Sequence, residues 1–445
     1  MKKSIAYFLS TYFVILCLHL SAQAQLQVDV RSESTHITPN TETFSILFDA
    51  QAPKVTPKTT RPPMNIALVL DRSGSMSGDK LHYAKKACEF VVDNLSSQDY
   101  LSLVIYDNEV NVLQHTVHPT NKQQLKQLIK GVTDRGSTNL SGGVLEGYNQ
   151  AKAVFDAQNV NRVFLLSDGL ANEGITDPEK LKEIARTKNL ELQLGLSTFG
   201  VGSDFDELLM TGMAEQGSGN YYFIDSPDKI PEIFKEELKG LLSVYAQNAT
   251  LKVSYPTQYM QLQQVNGYEY QITPNQEILI NFRDIISEEL KSVLFTFSRL
   301  NTLSESLTFT FTLTYDDAET FERKEVRKTI HVNKTQEESV YYNNRDPKVL
   351  QMSALFQANQ VYEKAMLLVD QGATEKAKAL LKKALENLSQ TMSTLPEDEE
   401  LTAQYNAIKV YYEQIDSYQQ MSSQEQKMYQ KSQRNVNYKM KKRKK

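Results

Sequence analysis

The sequence predicts an α/β protein in which a doubly wound, mostly parallel sheet is combined with an antiparallel β-sandwich and a C-terminal helical segment. Three observations carry this. The run Ile66-Ala67-Leu68-Val69-Leu70 is apolar without interruption, the pattern of a strand buried on both faces. Over residues 63–245, short apolar runs alternate with stretches of helical spacing, as in a sheet covered by helices on both sides. Over residues 246–335 only strand-type alternation persists, and over residues 345–420 only helical spacing.

The chain has 445 residues, too many for one core, and so divides into several domains. It opens with Lys2-Lys3, an apolar stretch over residues 5–20 and the small-residue site Ala22-Gln23-Ala24. That order reads as a secretory signal peptide over residues 1–24. The mature chain is therefore expected to be exported, to a periplasm, the cell surface or the medium. No later stretch is long and apolar enough to span a bilayer. Loss of the leader leaves one cysteine, Cys88, which forbids an internal disulfide and is most simply a small buried apolar residue.

Residues 25–62 hold the alternating stretches Leu26-Gln27-Val28-Asp29-Val30 and Thr43-Phe44-Ser45-Ile46-Leu47-Phe48, which read as strands. A linker rich in proline and threonine follows. So few strands bury no core alone. They could complete the later sheet, making the doubly wound unit an insertion in a β-sandwich.

Within residues 63–245, strands are expected over 65–70, 100–106, 110–116, 162–166, 192–200 and 221–224, and helices over 80–95, 121–130, 140–157, 178–188, 205–215 and 231–245. The 110–116 strand follows its predecessor after a short turn and is read as an antiparallel edge. In the β-rich part, strands are expected over 250–255, 278–282, 291–297, 307–315 and 329–332. Residues 345–420 read as a helical hairpin, 349–369 and 373–392, extended by a further helix over 397–418. It is expected to dock on the body or on a partner.

The formal charge of −5 becomes −7 once the two leader lysines are removed. From Lys427 onward there are nine Lys or Arg and no acid. Residues 421–445 therefore read as a disordered basic tail, with possible contact to an anionic surface. An acidic body with a basic end does not resemble a nucleic-acid-binding domain.

The chemistry gathers at Asp71-Arg72-Ser73-Gly74-Ser75-Met76, directly after the first apolar run. Ligands of open α/β sheets bind at that end of the strands. The donors are hard oxygens, which suit Mg²⁺, Mn²⁺ or Ca²⁺ rather than zinc. Any one such stretch could equally be a helix cap or a turn. Asp71, Ser73 and Ser75, in the pattern D-x-S-x-S, resemble the metal-ion-dependent adhesion site of the von Willebrand factor A family. Arg135-Gly136-Ser137-Thr138-Asn139-Leu140 resembles that family's second metal loop, with Thr138 at the ligand position. Val163-Phe164-Leu165-Leu166-Ser167-Asp168-Gly169 resembles its third, with Asp168 as the matching acid. Phe199-Gly200-Val201-Gly202 and Gly219-Asn220-Tyr221-Tyr222-Phe223 resemble its last two strands.

The resemblance implies an exported, non-enzymatic protein-binding or adhesion module. In it Asp71, Ser73, Ser75, Thr138 and Asp168 hold a divalent cation, Mg²⁺ first and Mn²⁺ or Ca²⁺ as alternatives. The cation would capture an Asp or Glu side chain of a protein ligand. Gly74, Gly136 and Gly169 would let the loops approach the ion closely. Two other classes stand beside this one. An envelope scaffold would act through the β and helical parts, and a Mg²⁺-dependent hydrolase would use the ion to activate water. Against the hydrolase, His82 and His115 are isolated and no phosphate loop of the form G-x-x-x-x-G-K-[ST] occurs.

Overall fold

In a computed structural model, residues 25–55, 62–202, 205–302 and 306–441 are described. The signal peptide expected over residues 1–24 and the last four residues of the basic tail lie outside them. Strands β1 (Gln27–Ser32), β2 (His36–Ile37) and β3 (Thr43–Gln51) come first. The doubly wound unit follows: β4 (Met64–Asp71), α1 (Asp79–Asn94), β5 (Tyr100–Tyr106), β6 (Val110–Val117), α2 (Lys122–Lys130), α3 (Leu140–Lys152), β7 (Val160–Ser167), α4 (Pro178–Leu192), β8 (Gly195–Val201), α5 (Glu207–Gln216), β9 (Ser218–Ile224) and α6 (Ile230–Leu242).

Its sheet has the order β6-β5-β4-β7-β8-β9. Only β6 runs antiparallel, at the edge, as its short turn from β5 requires. Every residue of β4 and of β7 is buried, which explains their unbroken apolar character. Ile66, Leu68 and Leu70 face α1, α2 and α6, while Ala67 and Val69 face α3, α4 and α5. The winding direction reverses between β4 and β7, so the crevice at their C-terminal ends is a topological switch point. Register sets Asp71 opposite Tyr106 and Leu70 opposite Leu166, which brings Ser167 and Asp168 beside Asp71.

The β-rich part comprises β10 (Val244–Ser254), β11 (Met260–Asn266), β12 (Gln271–Ile272), β13 (Ile278–Ile286), β14 (Leu290–Arg299), β15 (Leu307–Asp317) and β16 (Arg323–Lys334). Two sheets form, of order β1-β3-β14-β11 and β12-β13-β10-β15-β16-β2. The strands before the doubly wound unit thus pair with strands after it, β3 lying antiparallel to β14. The sheets face one another over a common apolar cluster. The Phe48 ring of β3 lies 6.2 Å from Phe282 and 6.1 Å from Phe311, and Phe295 lies 5.7 Å from Phe311.

The C-terminal part contains α7 (Glu338–Asn343), α8 (Pro347–Asp370), α9 (Thr374–Thr394), α10 (Glu399–Tyr418) and α11 (Ser423–Lys441). Helix α8 starts cleanly, with the Asp346 carboxylate accepting from the Lys348 and Val349 N–H groups and proline at the first position. It packs on the outer face of the four-stranded sheet through Leu47 and Leu294. No helix among the described residues is long and apolar enough to cross a membrane.

Three expectations need correction. The basic tail is not disordered over its described length: residues 423–441 form α11, a fourth long helix beyond the expected hairpin and its extension. Tyr429 stacks on Tyr411, and Tyr438 meets Tyr221 edge-on. The acids that neutralise its cations lie elsewhere in the chain: Arg434 pairs with Glu207 and Asp370, and Lys441 with Glu215 and Glu363. Local composition contains none of this. Second, α6 ends at Leu242, and residues 244–245 belong to β10, because pairing of Val244 with Ile286 overrides the local helical pattern. Third, α4 runs to Leu192 and stops at Gln193 in the left-handed conformation, so the next strand begins at Gly195 rather than at 192. Strands β11 and β12 were not anticipated. The first interrupts its apolar alternation with glutamines, and the second has only two residues.

Candidate metal centre

Asp71 closes β4, and its carboxylate is held at both oxygens. The Ser73 N–H donates to Oδ1 at 2.9 Å, while the Ser167 and Tyr106 hydroxyls donate to Oδ2 at 2.6 and 3.1 Å. Asp71 is fully buried, and that burial pushes its pKa up to about 6. Bonds from Ser167 and Ser73 pull it down, and the charge of nearby Asp168 pushes it up again. Burial together with the Asp71 charge keeps the Tyr106 phenol protonated far into the alkaline range, so it serves as a donor.

The Ser73 hydroxyl lies 3.0 Å from that of Ser75. Ser73 is buried and Ser75 exposed, so the pair forms a path from the buried acid to solvent. The second loop is stitched to the first: the Gly74 N–H donates to the Gly136 carbonyl at 3.0 Å, and the Arg135 N–H to the Arg72 carbonyl at 2.9 Å. It is stitched to the third through Thr138, whose N–H donates to Asn172 Oδ1 at 2.7 Å and whose carbonyl accepts from the Asn172 and Glu173 N–H groups at 3.1 Å. Asn139, next in the chain, caps α3 by accepting from the Gly142 N–H. Gly136 and Gly169 have φ of +71° and +69°, conformations that a side chain would strain.

Asp168, also fully buried, follows β7 directly. Its Oδ2 accepts from the Lys80 ammonium at 3.1 Å. Its backbone carbonyl accepts from the Asp206 N–H at 2.9 Å, tying the loop to the start of α5. A flanking group balances its own charge. Asp107 pairs with Arg72 and with Arg135 at 2.8 Å each, and Arg135 also reaches Glu109 at 2.6 Å. Although burial works against it, the bonds from the Glu109 N–H and Arg135 hold Asp107 below the usual carboxylate range.

The three loops carrying Asp71, Ser73, Ser75, Thr138 and Asp168 thus meet at the switch point. Their donors are two carboxylates and three hydroxyls, all oxygen, with no cluster of three or more His, Cys, Asp or Glu among the described residues. This set fits a hard divalent cation. Sequence reasoning missed Tyr106, Ser167 and Lys80. Ser167 stands in the third motif itself, next to Asp168. Tyr106 ends the neighbouring strand in register with Asp71 and was visible only through that pairing. His115 lies away from the site, 3.3 Å from Gln150.

Residues 65–236 match the family pattern described as the von Willebrand factor type A domain, and that stretch is such a domain. The uncharacterized protein YfbK of Escherichia coli is 30% identical over 214 residues, covering 47% of this chain and 36% of YfbK. Inter-alpha-trypsin inhibitor heavy chain H3 of Homo sapiens is 29% identical over 211 residues, covering 44% of this chain and 24% of that protein. The chain therefore spans well under half the length of these relatives. Among solved structures, a von Willebrand factor type A protein from Catenulispora acidiphila superposes with a TM-score of 0.67 at 13% identity, covering 87% of this chain and 91% of its own. The ArnB paralog VWA2 from Sulfolobus acidocaldarius gives 0.59 at 18% identity, covering 87% and 93%. At such identities the likeness is one of fold.

Proposed function

We propose that this protein is an exported, non-enzymatic binding module that captures an acidic side chain of a protein partner through a divalent cation. Asp71, Ser73, Ser75, Thr138 and Asp168 would hold the ion, Mg²⁺ being the best fit. The observation that carries this reading is the pairing of two fully buried carboxylates, Asp71 and Asp168, with the Ser73–Ser75 hydroxyl path at the switch point. Two buried acids so close repel one another, and a cation removes that cost. Held by these residues, the ion would supply an electrophilic position for a partner's carboxylate. The chain's own residues orient the ligands: Tyr106 and Ser167 fix the Asp71 carboxylate, and Asn172 fixes the Thr138 backbone.

Several features favour binding over turnover. The groups that contact the two acids are hydroxyls, backbone amides and an ammonium. None of these is a base poised for proton abstraction. The domain type is one of protein-interaction and adhesion modules. Export is supported by the leader pattern of residues 1–24.

The test is calorimetric titration of Mg²⁺ into the wild type, Asp71→Ala and Asp168→Ala, followed by pull-down from envelope extract with Mg²⁺ or chelator. Metal binding should be lost in both variants with the fold retained, and capture should need the metal. Unchanged Mg²⁺ affinity in both variants would sink the site.

A further inference from the structure

The doubly wound unit and the β-rich part enclose a cavity of about 580 Å³ between them, the size of a small-molecule site. The doubly wound unit contributes Arg162 near the start of β7, Asn189 near the end of α4, Ser218 at the start of β9 and Glu237 of α6. The β-rich part adds Tyr268 and Asp284. The cavity thus lies toward the N-terminal ends of β7 and β9, whereas the candidate metal centre lies at the C-terminal ends of β4 and β7.

Acids outnumber bases in its lining by eight to three, and each base already has a carboxylate. Arg162 pairs with Asp284, Lys291 with Glu289, and Arg186 with Glu183 outside the cavity. Glu215 pairs with Lys441. Glu236, Glu237, Glu269 and Glu288 form no ion pair among the described residues, although Glu269 faces Arg186 and Lys441 at longer range. Glu236, Glu269 and Glu288 are exposed, while Glu237 is only 2% exposed. The Glu237 carboxylate accepts from the Ser197 hydroxyl at 2.5 Å, the Asn220 Nδ2 at 2.7 Å and the Tyr222 hydroxyl at 2.9 Å. These neutral donors fix its orientation, but no cation pairs with its charge. Asn189, 3% exposed, also forms part of the wall. Its Nδ2 donates to the Ser218 hydroxyl at 2.7 Å, and its Oδ1 accepts from nothing among the described residues. A buried acceptor without a donor costs free energy that a ligand N–H group can return.

We propose that this cavity binds a small organic cation, an ammonium or guanidinium group on a short apolar stem. Glu237 and Asn189 supply buried acceptors, and Glu236, Glu269 and Glu288 draw the charge in from solvent. Tyr270, 41% exposed in the lining, offers a ring face to the cation and its stem. A metal ion fits less well, because no three His, Cys, Asp or Glu among the described residues gather to hold one. An anion would meet the same acids and be repelled. The proposal does not depend on the metal reading above.

The experiment is calorimetric titration of cadaverine into the full chain, in metal-free buffer at low salt, with pentanediol as the uncharged analogue. One cadaverine should bind per chain, and pentanediol should not bind. Glu237→Gln, and Glu236→Gln combined with Glu269→Gln, should each weaken cadaverine about tenfold, since each removes negative charge near the bound cation. Glu386→Gln combined with Glu413→Gln, at exposed positions of α9 and α10 outside the cavity lining, should have no effect. Thermal unfolding checks that the variants fold, and the two exposed cavity acids carry the test should Glu237→Gln fail to fold. No saturable cadaverine binding, equal affinity in the cavity and remote variants, or equal binding of pentanediol overturns the proposal.

Discussion

Lys431 lies over the Phe205 ring, its ammonium 3.6 Å from the ring centroid, and donates a hydrogen bond to the Phe205 carbonyl. One residue further on, the Asp206 N–H donates to the Asp168 carbonyl. Helix α11 is therefore one peptide unit away from the loop that carries the second acid of the candidate metal centre. Arg434 on Glu207 and Tyr438 on the Tyr221 N–H fasten the same helix along α5 and β9.

This chain of contacts makes α11 part of the centre's support. Lys431→Ala removes a desolvated cation–π contact and leaves a buried carbonyl short of a donor, together about 2–4 kcal/mol. Hydrogen exchange at Gly169–Ala171 and at Asp206 should quicken, and Mg²⁺ affinity should fall severalfold. Unchanged exchange at those amides would mean that α11 and the loop move independently.

Asp71 makes the metal-free protein sensitive to pH. Its folded pKa is raised to about 6, so the folded state holds this proton more tightly than the unfolded chain does. The stabilisation is complete below the unfolded value and is lost as pH rises through about 6, a swing of roughly 3 kcal/mol. In chelator, Asp71→Asn should therefore be more stable than the wild type at pH 7.5 and nearly equal to it at pH 4. Added Mg²⁺ should stabilise the wild type at pH 7.5 and not the variant. Urea unfolding across this range checks it, and parallel stability curves for the two proteins would contradict it.

Tyr106 reaches Asp71 because α3 lies close against the sheet. A Cβ on Gly143 would fall 2.3 Å from the Tyr106 ring. Gly143→Ala should push the ring aside, cost about 1–3 kcal/mol by overpacking and weaken Mg²⁺ binding. Tyr106→Phe keeps the packing and removes only the donor to Asp71. It should cost about 1 kcal/mol and raise the pH midpoint of Mg²⁺ binding. A midpoint that stays in place in Tyr106→Phe would show that the phenol is only a packing group.

Arg162 of β7 and Asp284 of β13 form a buried ion pair, 2.8 Å apart, between the doubly wound unit and the β-rich part. Asp284→Ala strands a buried guanidinium and should cost about 3–5 kcal/mol. Because the pair joins two cores, denaturant unfolding should also separate into two transitions. A single transition with unchanged midpoint would rule out the pair as the coupling element.

The fold of the doubly wound unit was legible because its signals are local. The β4 run is apolar since both faces are covered, and the edge position of β6 follows from a short turn. The motif residues Asp71, Thr138 and Asp168 each stand at a strand end or loop that local pattern marks. Tyr106 and Lys80 carried no such mark. Each is an ordinary residue of its element, and only sheet register and the path of the loop through Gly202 bring it to an acid.

The N-terminal strands and α11 mark the same divide. Local alternation identified Thr43-Phe44-Ser45-Ile46-Leu47-Phe48 as a strand, but its partner, β14, begins more than two hundred residues later, beyond the inserted unit. Residues 427–445 looked disordered because charge without acids forbids a local fold. The acids that permit one, Glu207, Glu215, Glu363 and Asp370, lie on α5 and α8. The sequence by itself determined most of the strands and helices and which residues offer hard oxygens at the strand ends, since periodicity and side-chain chemistry act over a few residues. Only the tertiary structure decided which strands pair, where the terminal cations are neutralised and which side chains hold the two acids. Those choices depend on burial and charge contributed by residues far apart in the chain.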